Sequence, residues 1–355
     1  MLGDLSRPQL GFLLATGASA VAAGVAHYAG AAAVLAFVLA GVALAGMAWV
    51  VSFATEQVGG RFGPAITGFL QSTLGNLPEF FIVLFALGAG QVVVAKTSII
   101  GSLFANALLV LGLVVITGAR RDPEGCMRFK RRLPMDTTTL LLVAVFIIVI
   151  VGLTVESEGE ASHHVKAISA VGAVSLLAVY AVWLWSYLRS DGPRETADEQ
   201  AEATLPLGFS IALLGLAGVG AAFVSDWFIS ALEPAIKSLG ISKAFAGLVI
   251  VAIAGNAVEN VTGIVLAHKG QPDLAISVVK NSVAQIAAFL FPALVLVSFL
   301  FAHSLTFSFA PVYIGALFLT AIAIWQITGD GEALAFEGCA LIALYVVLAT
   351  FAFVD

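Results

Sequence analysis

The sequence predicts an all-α integral membrane protein: about eleven transmembrane helices, forming two inverted five-helix repeats plus an extra N-terminal helix. Three observations carry that expectation. Of the 355 residues, 60% are hydrophobic and 11% charged, whereas a soluble domain is about half apolar and about a quarter charged. The apolar runs are continuous and lack two-residue alternation, so they read as helical spans and not as barrel strands. A polar motif, GNLPE at Gly75 to Glu79, returns as GNAVE at Gly255 to Glu259 inside a second apolar run.

The spans fall near 8–27, 31–54, 64–88, 96–118, 136–156, 164–188, 206–228, 242–268, 274–300, 307–327 and 333–354. The first, within residues 1–30, has a faint signal-peptide look: Arg7, an apolar run, then small residues from Ala18 to Ala23. Its positive region is thin and the next span follows almost at once, so an uncleaved helix is expected. Residues 31–188 hold the first five-helix repeat. Within it the loop 119–134, ARRDPEGCMRFKRRLP, carries Arg120, Arg121, Arg128, Lys130, Arg131 and Arg132. That basic excess assigns the loop to the cytoplasm, with the N-terminus inside and the C-terminus outside. Residues 189–205 are the longest polar interruption. There Glu195, Asp198, Glu199 and Glu202 share one face at helical spacing. They read either as a solvated linker or as a cytoplasmic, cation-sensing acidic helix. Residues 206–355 hold the second repeat.

The net charge of −6 is spread over loops and suggests no nucleic-acid partner. Cys126 and Cys339 look unpaired, and without a CxxC or Cys/His cluster no resident cofactor is expected. The short termini fit a multi-pass protein of a bacterial plasma membrane. Oligomeric state is not readable.

Laying residue n against n+180 aligns the two motifs without a gap. Gly75, Asn76, Glu79, Gly90, Gln91, Ala95 and Ser102 match Gly255, Asn256, Glu259, Gly270, Gln271, Ala275 and Ser282. By the span order the first copy enters from the cytoplasm and the second from outside, so the repeats are inverted. Inverted repeats with interrupted helices at equivalent places point to a transporter with a midplane site.

A carboxylate at the bilayer centre costs several kcal/mol and so faces a cavity with a partner. Gly75 and Asn76, like Gly255 and Asn256, favour a break in the helix before each glutamate. Asn76 with Glu79 and Asn256 with Glu259 share helical faces. Together with carbonyls freed at the break they offer an oxygen-rich anionic pocket for a hard cation such as Ca²⁺. Without the cation, the same two carboxylates take up protons. Pro78 lacks the N–H that would bind the Leu74 oxygen, which is then an extra ligand or part of a simple kink. Farther on, Ser102, Asn106, Asn281, Ser282 and Gln285 lie at spacings that suit either the ion path or helix–helix packing. Lys96 and Lys280 receive no role. His268, Lys269 and Asp273 read as a solvated turn.

At these residues the chain resembles the cation/proton exchanger branch of the cation/calcium exchanger superfamily. The segments that carry the resemblance are GPAITGFLQSTLGNLPEFFIVLFALGAGQVVVAKTSIIGSLFANALLVLG and FAGLVIVAIAGNAVENVTGIVLAHKGQPDLAISVVKNSVAQIAAFLFPALVL. The resemblance implies export of Ca²⁺ against entering protons. It makes Glu79 and Glu259 the cation- and proton-binding carboxylates, with Asn76, Asn256, Ser102, Asn106, Ser282 and Gln285 lining the passage. It matches the acidic stretch 195–202 to the family's acidic helix. The chain departs from the family at Leu77 and Pro78, at Asn260 where a histidine is usual, and at Asn281, Ser282 and Val283. The residue types also admit exchange of Mn²⁺ or Na⁺, an uncoupled cation channel, or a membrane scaffold.

Overall fold

In the computed structural model, which describes residues 5–61, 70, 74–189 and 205–355, the apolar runs are helices. They are α1 (Arg7–Tyr28), α2 (Ala33–Gly59), α3 (Leu77–Gly88), α4 (Val92–Arg121), α5 (Arg132–Glu156) and α6 (Val165–Arg189). The second half supplies α7 (Leu207–Leu239), α8 (Lys243–Gly255), α9 (Ala257–His268), α10 (Pro272–Ser298), α11 (Pro311–Thr328) and α12 (Ala335–Val354). Among the described residues nine helices are long and apolar enough to cross a membrane. Counting α8 and α9, bent by 61° at their junction, as one broken span adds a tenth. The expected span 64–88 is represented by α3, and most of its earlier residues lie outside the described set. So do Glu195, Asp198, Glu199 and Glu202.

The backbone repeats where the sequence does. Helix α3 covers Leu77–Gly88 and α9 covers Ala257–His268, both ends displaced by 180. Each is followed by a glycine in the left-handed region, Gly90 at φ +71° and Gly270 at φ +77°. A side chain there would be strained, which explains why both copies keep glycine. The next helices begin at Val92 and Pro272, again 180 apart, and each passes through a π-helical turn, at Ala105–Val110 and Ile286–Leu290.

The chain forms two compact units, each drawing on both halves of the sequence. The first contains Met1–Ala89, Ala181–Ile241 and Ala254–Val258. Its helices approach over small residues, as expected where lipid gives no hydrophobic drive between helices. A Cβ on Gly46 of α2 would lie 2.7 Å from Thr16 Oγ1 of α1. One on Gly220 of α7 would lie 3.0 Å from the Met47 thioether of α2. Phe37 and Phe228 stack at 4.6 Å between the same helices. At one end Arg61 donates to the Leu205 carbonyl at 2.6 Å, and the Leu205 N–H donates to Gln57 Oε1 at 3.1 Å.

The second unit contains Gly90–Tyr180, Ser242–Ile253 and Glu259–Asp355. Its centre is α4 and α10, the two long helices with the largest buried share. Gly101 of α4 packs directly on the Leu248 backbone of α8, and Gly112 packs on the Gly338 carbonyl of α12. Lys280 of α10 is 2% exposed and donates to Thr138 Oγ1 of α5 at 2.6 Å and Thr328 Oγ1 of α11 at 3.2 Å. Both hydroxyls give their own protons to backbone carbonyls, Pro134 and Ile324, so the amine is the donor in each bond. Lys280 thus ties three helices together, while Lys96 donates to the Ser308 carbonyl at 2.8 Å.

The loop after α4 is more ordered than its composition suggests. Its strand β1 (Cys126–Arg128) pairs antiparallel with β2 (Glu332–Leu334), and Arg128 faces Glu332 at 3.5 Å. Arg128 also pairs with Glu124 and, at 3.7 Å, with Asp122. Burial, and then the Glu332 carboxylate, push the Cys126 thiol above its ordinary range. The turn expected to be solvated is exposed at His268, Lys269 and Asp273, and this loop also holds it. Arg121 Nε donates to the His268 carbonyl at 2.9 Å, and the Lys130 N–H donates to Asp273 Oδ1 at 2.7 Å. The two segments meet through backbone donors and acceptors, which side-chain polarity does not reveal.

Candidate functional site

Helix α3 starts directly after the Gly75–Asn76 turn, with the Phe80 N–H bonded to the Asn76 carbonyl at 3.0 Å. Pro78 therefore sits in the first turn of a new helix, where a missing N–H is tolerated and the fixed φ suits the geometry. It initiates the helix after the break and does not kink a continuous one; Leu74 stands just before the turn. Glu79 is the third residue of α3, and Glu259 is the third residue of α9. Both carboxylates thus lie where a helix's free N–H groups and positive dipole end favour an anion.

Within the first unit the two motifs meet. Asn256, fully buried, donates from Nδ2 to Glu79 Oε1 at 2.6 Å, and Glu79 itself is 6% exposed. A Cβ on Gly255 would fall 2.9 Å from Glu79 Cγ. The glycine before Asn256 therefore makes room for the carboxylate of the other copy, beyond breaking its own helix. Asn76 is also buried in this unit. From the sequence Asn256 was expected as a cation ligand. That it holds Glu79 had one signal: two short motifs with the same amide and glycine.

Glu259, Ser102, Asn106, Asn281, Ser282 and Gln285 belong to the second unit. Asn106, the second residue of the π-turn of α4, donates to the Ser102 carbonyl at 3.1 Å, so this i,i+4 pair is joined along its own helix. On α10, Asn281 Oδ1 and Ser282 Oγ are buried oxygens without a hydrogen bond, as is Asn260 Oδ1 on α9. Gln285 closes α10's regular part ahead of its π-turn. Unsatisfied buried oxygens cost roughly 1–3 kcal/mol each, which marks them as places for a bound water or ion. Among the described residues no three His, Cys, Asp or Glu side chains gather as a metal-binding group. A hard cation held here would draw on amide, hydroxyl and backbone oxygens beside carboxylate.

A broken span at α8 and α9, and a helix α3 that starts at the equivalent Gly–Asn turn, each carry a buried or half-buried glutamate, an arrangement that marks a secondary transporter of the membrane. The chain belongs to the sodium/calcium exchanger protein family, which it matches over residues 32–188 and 209–354. It is 33% identical to the vacuolar calcium ion transporter of Schizosaccharomyces pombe, over 89% of this chain and 78% of that one. It is 31% identical to a Ca²⁺/H⁺ antiporter of Synechocystis, over 91% of this chain and 92% of that one. The solved structure of native YfkE superposes with a TM-score of 0.81 at 26% identity, covering 97% of this chain and all of that one.

Proposed function

We propose that this protein is a secondary antiporter that exchanges Ca²⁺ for H⁺, acting by transport without a resident cofactor. The carrying observation is Glu79: a buried carboxylate at a helix break, held by the Asn256 amide and given room by Gly255. The relatives named as Ca²⁺/H⁺ antiporter and calcium transporter support the choice of ions.

In this reading Glu79 and Glu259 supply the two negative charges that match one divalent ion, and they carry protons on the return. Asn76, Asn256 and the Leu74 carbonyl supply the remaining oxygens to the ion, and Gly75 and Gly255 let the chain approach it. Ser102, Asn106, Asn281, Ser282 and Gln285 line the path, for which the unpaired oxygens of Asn281 and Ser282 speak. The protein spans a plasma membrane with its N-terminus in the cytoplasm and its C-terminus outside, and the acidic residues 195–202 serve either as a solvated linker or as a cation-sensing element. The name of the family favours one second reading, Na⁺ as the counter-ion.

The test is Ca²⁺ uptake into proteoliposomes under an imposed pH gradient or an imposed Na⁺ gradient. Uptake driven by ΔpH, and abolished by Glu79→Gln and by Glu259→Gln, is expected. Uptake driven by Na⁺ alone would transfer the coupling to the second reading. Wild-type vesicles that take up nothing under either gradient, or full uptake by both variants, would sink the antiporter.

A further inference from the structure

Away from the candidate cation site, a groove of about 590 Å³ runs between α3 and α7 on the first unit. Phe81 and Phe85 of α3 form one wall, and Gly215, Gly218 and Phe223 of α7 form much of the other. Among the described residues Asp226 is the single charged residue of the lining, and it stands at one end of the α7 wall. It is exposed, and no described residue gives it a hydrogen bond or an ion pair.

The depth of that carboxylate follows from its neighbours. Trp227 stacks on His27 at 6.0 Å and meets Tyr28 edge-on at 6.0 Å, at the C-terminal end of α1. A Trp–Tyr–His group beside a helix end marks the headgroup level of a bilayer. Gly215 lies eleven residues earlier on α7, about 16 Å along the helix, and so well into the hydrocarbon. The groove therefore runs from the Asp226 carboxylate at the membrane surface into an apolar, phenylalanine-walled trench.

A hydrated divalent ion gains nothing in such a trench, because phenylalanine and glycine offer no oxygen to replace its water. An exposed anion above an apolar slot complements an amphiphile with a cationic head and a hydrocarbon tail. We propose that this groove binds a zwitterionic phospholipid of the phosphatidylethanolamine class. Its primary ammonium pairs with Asp226, and one acyl chain lies along the glycine face of α7 beneath Phe81 and Phe85. The lipid thereby backs the helix whose first turn carries Glu79.

The experiment is native mass spectrometry of the full chain with phosphatidylethanolamine and phosphatidylglycerol of identical acyl chains. The wild type retains the ethanolamine lipid in preference to the glycerol lipid by about fivefold, the worth of one exposed ion pair. A Cβ on Gly215 meets nothing within 4 Å, so the Gly215→Leu side chain enters the slot without a clash at its Cβ. That variant loses the retained lipid while keeping the wild-type thermal unfolding. Asp226→Asn retains both lipids equally. The proposal is overturned by equal retention on the wild type, by undiminished lipid on Gly215→Leu, or by an undiminished preference on Asp226→Asn. A wild-type dimer that Gly215→Leu splits, with no lipid mass lost, would overturn it too, since a second copy would then cover the groove. Because the readout is lipid mass, its failure leaves the antiporter reading untouched.

Discussion

Gly255 shows how one missing methyl group places a charge. Its own backbone needs no special conformation, yet the Glu79 side chain occupies the space a Cβ would take, at 2.9 Å from Cγ. Gly255→Ala moves the carboxylate or the helix break by several tenths of an ångström. The expected outcome is a fold that persists and a Ca²⁺ affinity, read by calorimetry, about tenfold weaker, or roughly 1.4 kcal/mol. Unchanged affinity would mean that Glu79 adjusts freely and that Asn256 does not fix it. The presence of a glycine, an amide and a glutamate in each copy was legible in the sequence. That the amide of one copy grips the glutamate of the other was not, because a bond across 177 residues leaves no local trace.

Helix contacts follow the same rule on a larger patch. Where α4 crosses α8, Gly101 packs on the Leu248 backbone, and Gly247 of α8 receives Thr97 of α4 in return. Backbone cannot yield as a side-chain tip does, so Gly101→Ala separates the helices. The expected cost is about 1–3 kcal/mol, seen as a lower unfolding temperature in detergent, with Gly17→Ala on α1, where a Cβ meets nothing within 4 Å, as the harmless control. Equal unfolding temperatures for the two variants would show that the crossing is loose. The spans themselves were readable from hydropathy, and the register of α3 with α9 was readable from the repeat. The π-turns and the β1–β2 ribbon were not. A π-turn adds one residue to a helix of unchanged composition, and Cys126–Arg128 is too short a strand to show alternation.

The two compact units cut across the two halves of the chain, since each takes segments from before and after residues 190–204. Neither half alone contains a complete unit. Expressed separately, residues 1–195 and 196–355 are each expected to be degraded or aggregated, whereas co-expression restores a species that co-purifies and resists protease. A stable, monodisperse N-terminal half by itself would contradict this. Composition, continuous apolar runs and a repeat at a fixed offset were sufficient to specify a helical membrane protein and the two matching glutamate motifs. These properties are local or periodic, and hydrocarbon requires backbone groups to bond within each span. Tertiary structure alone decided which helices share a unit and that Asn256 reaches Glu79. It alone decided that Lys280 ties α10 to α5 and α11, and that Asp226 heads an apolar groove. Each of these depends on contacts between residues distant in sequence, which steric fit selects and composition does not encode.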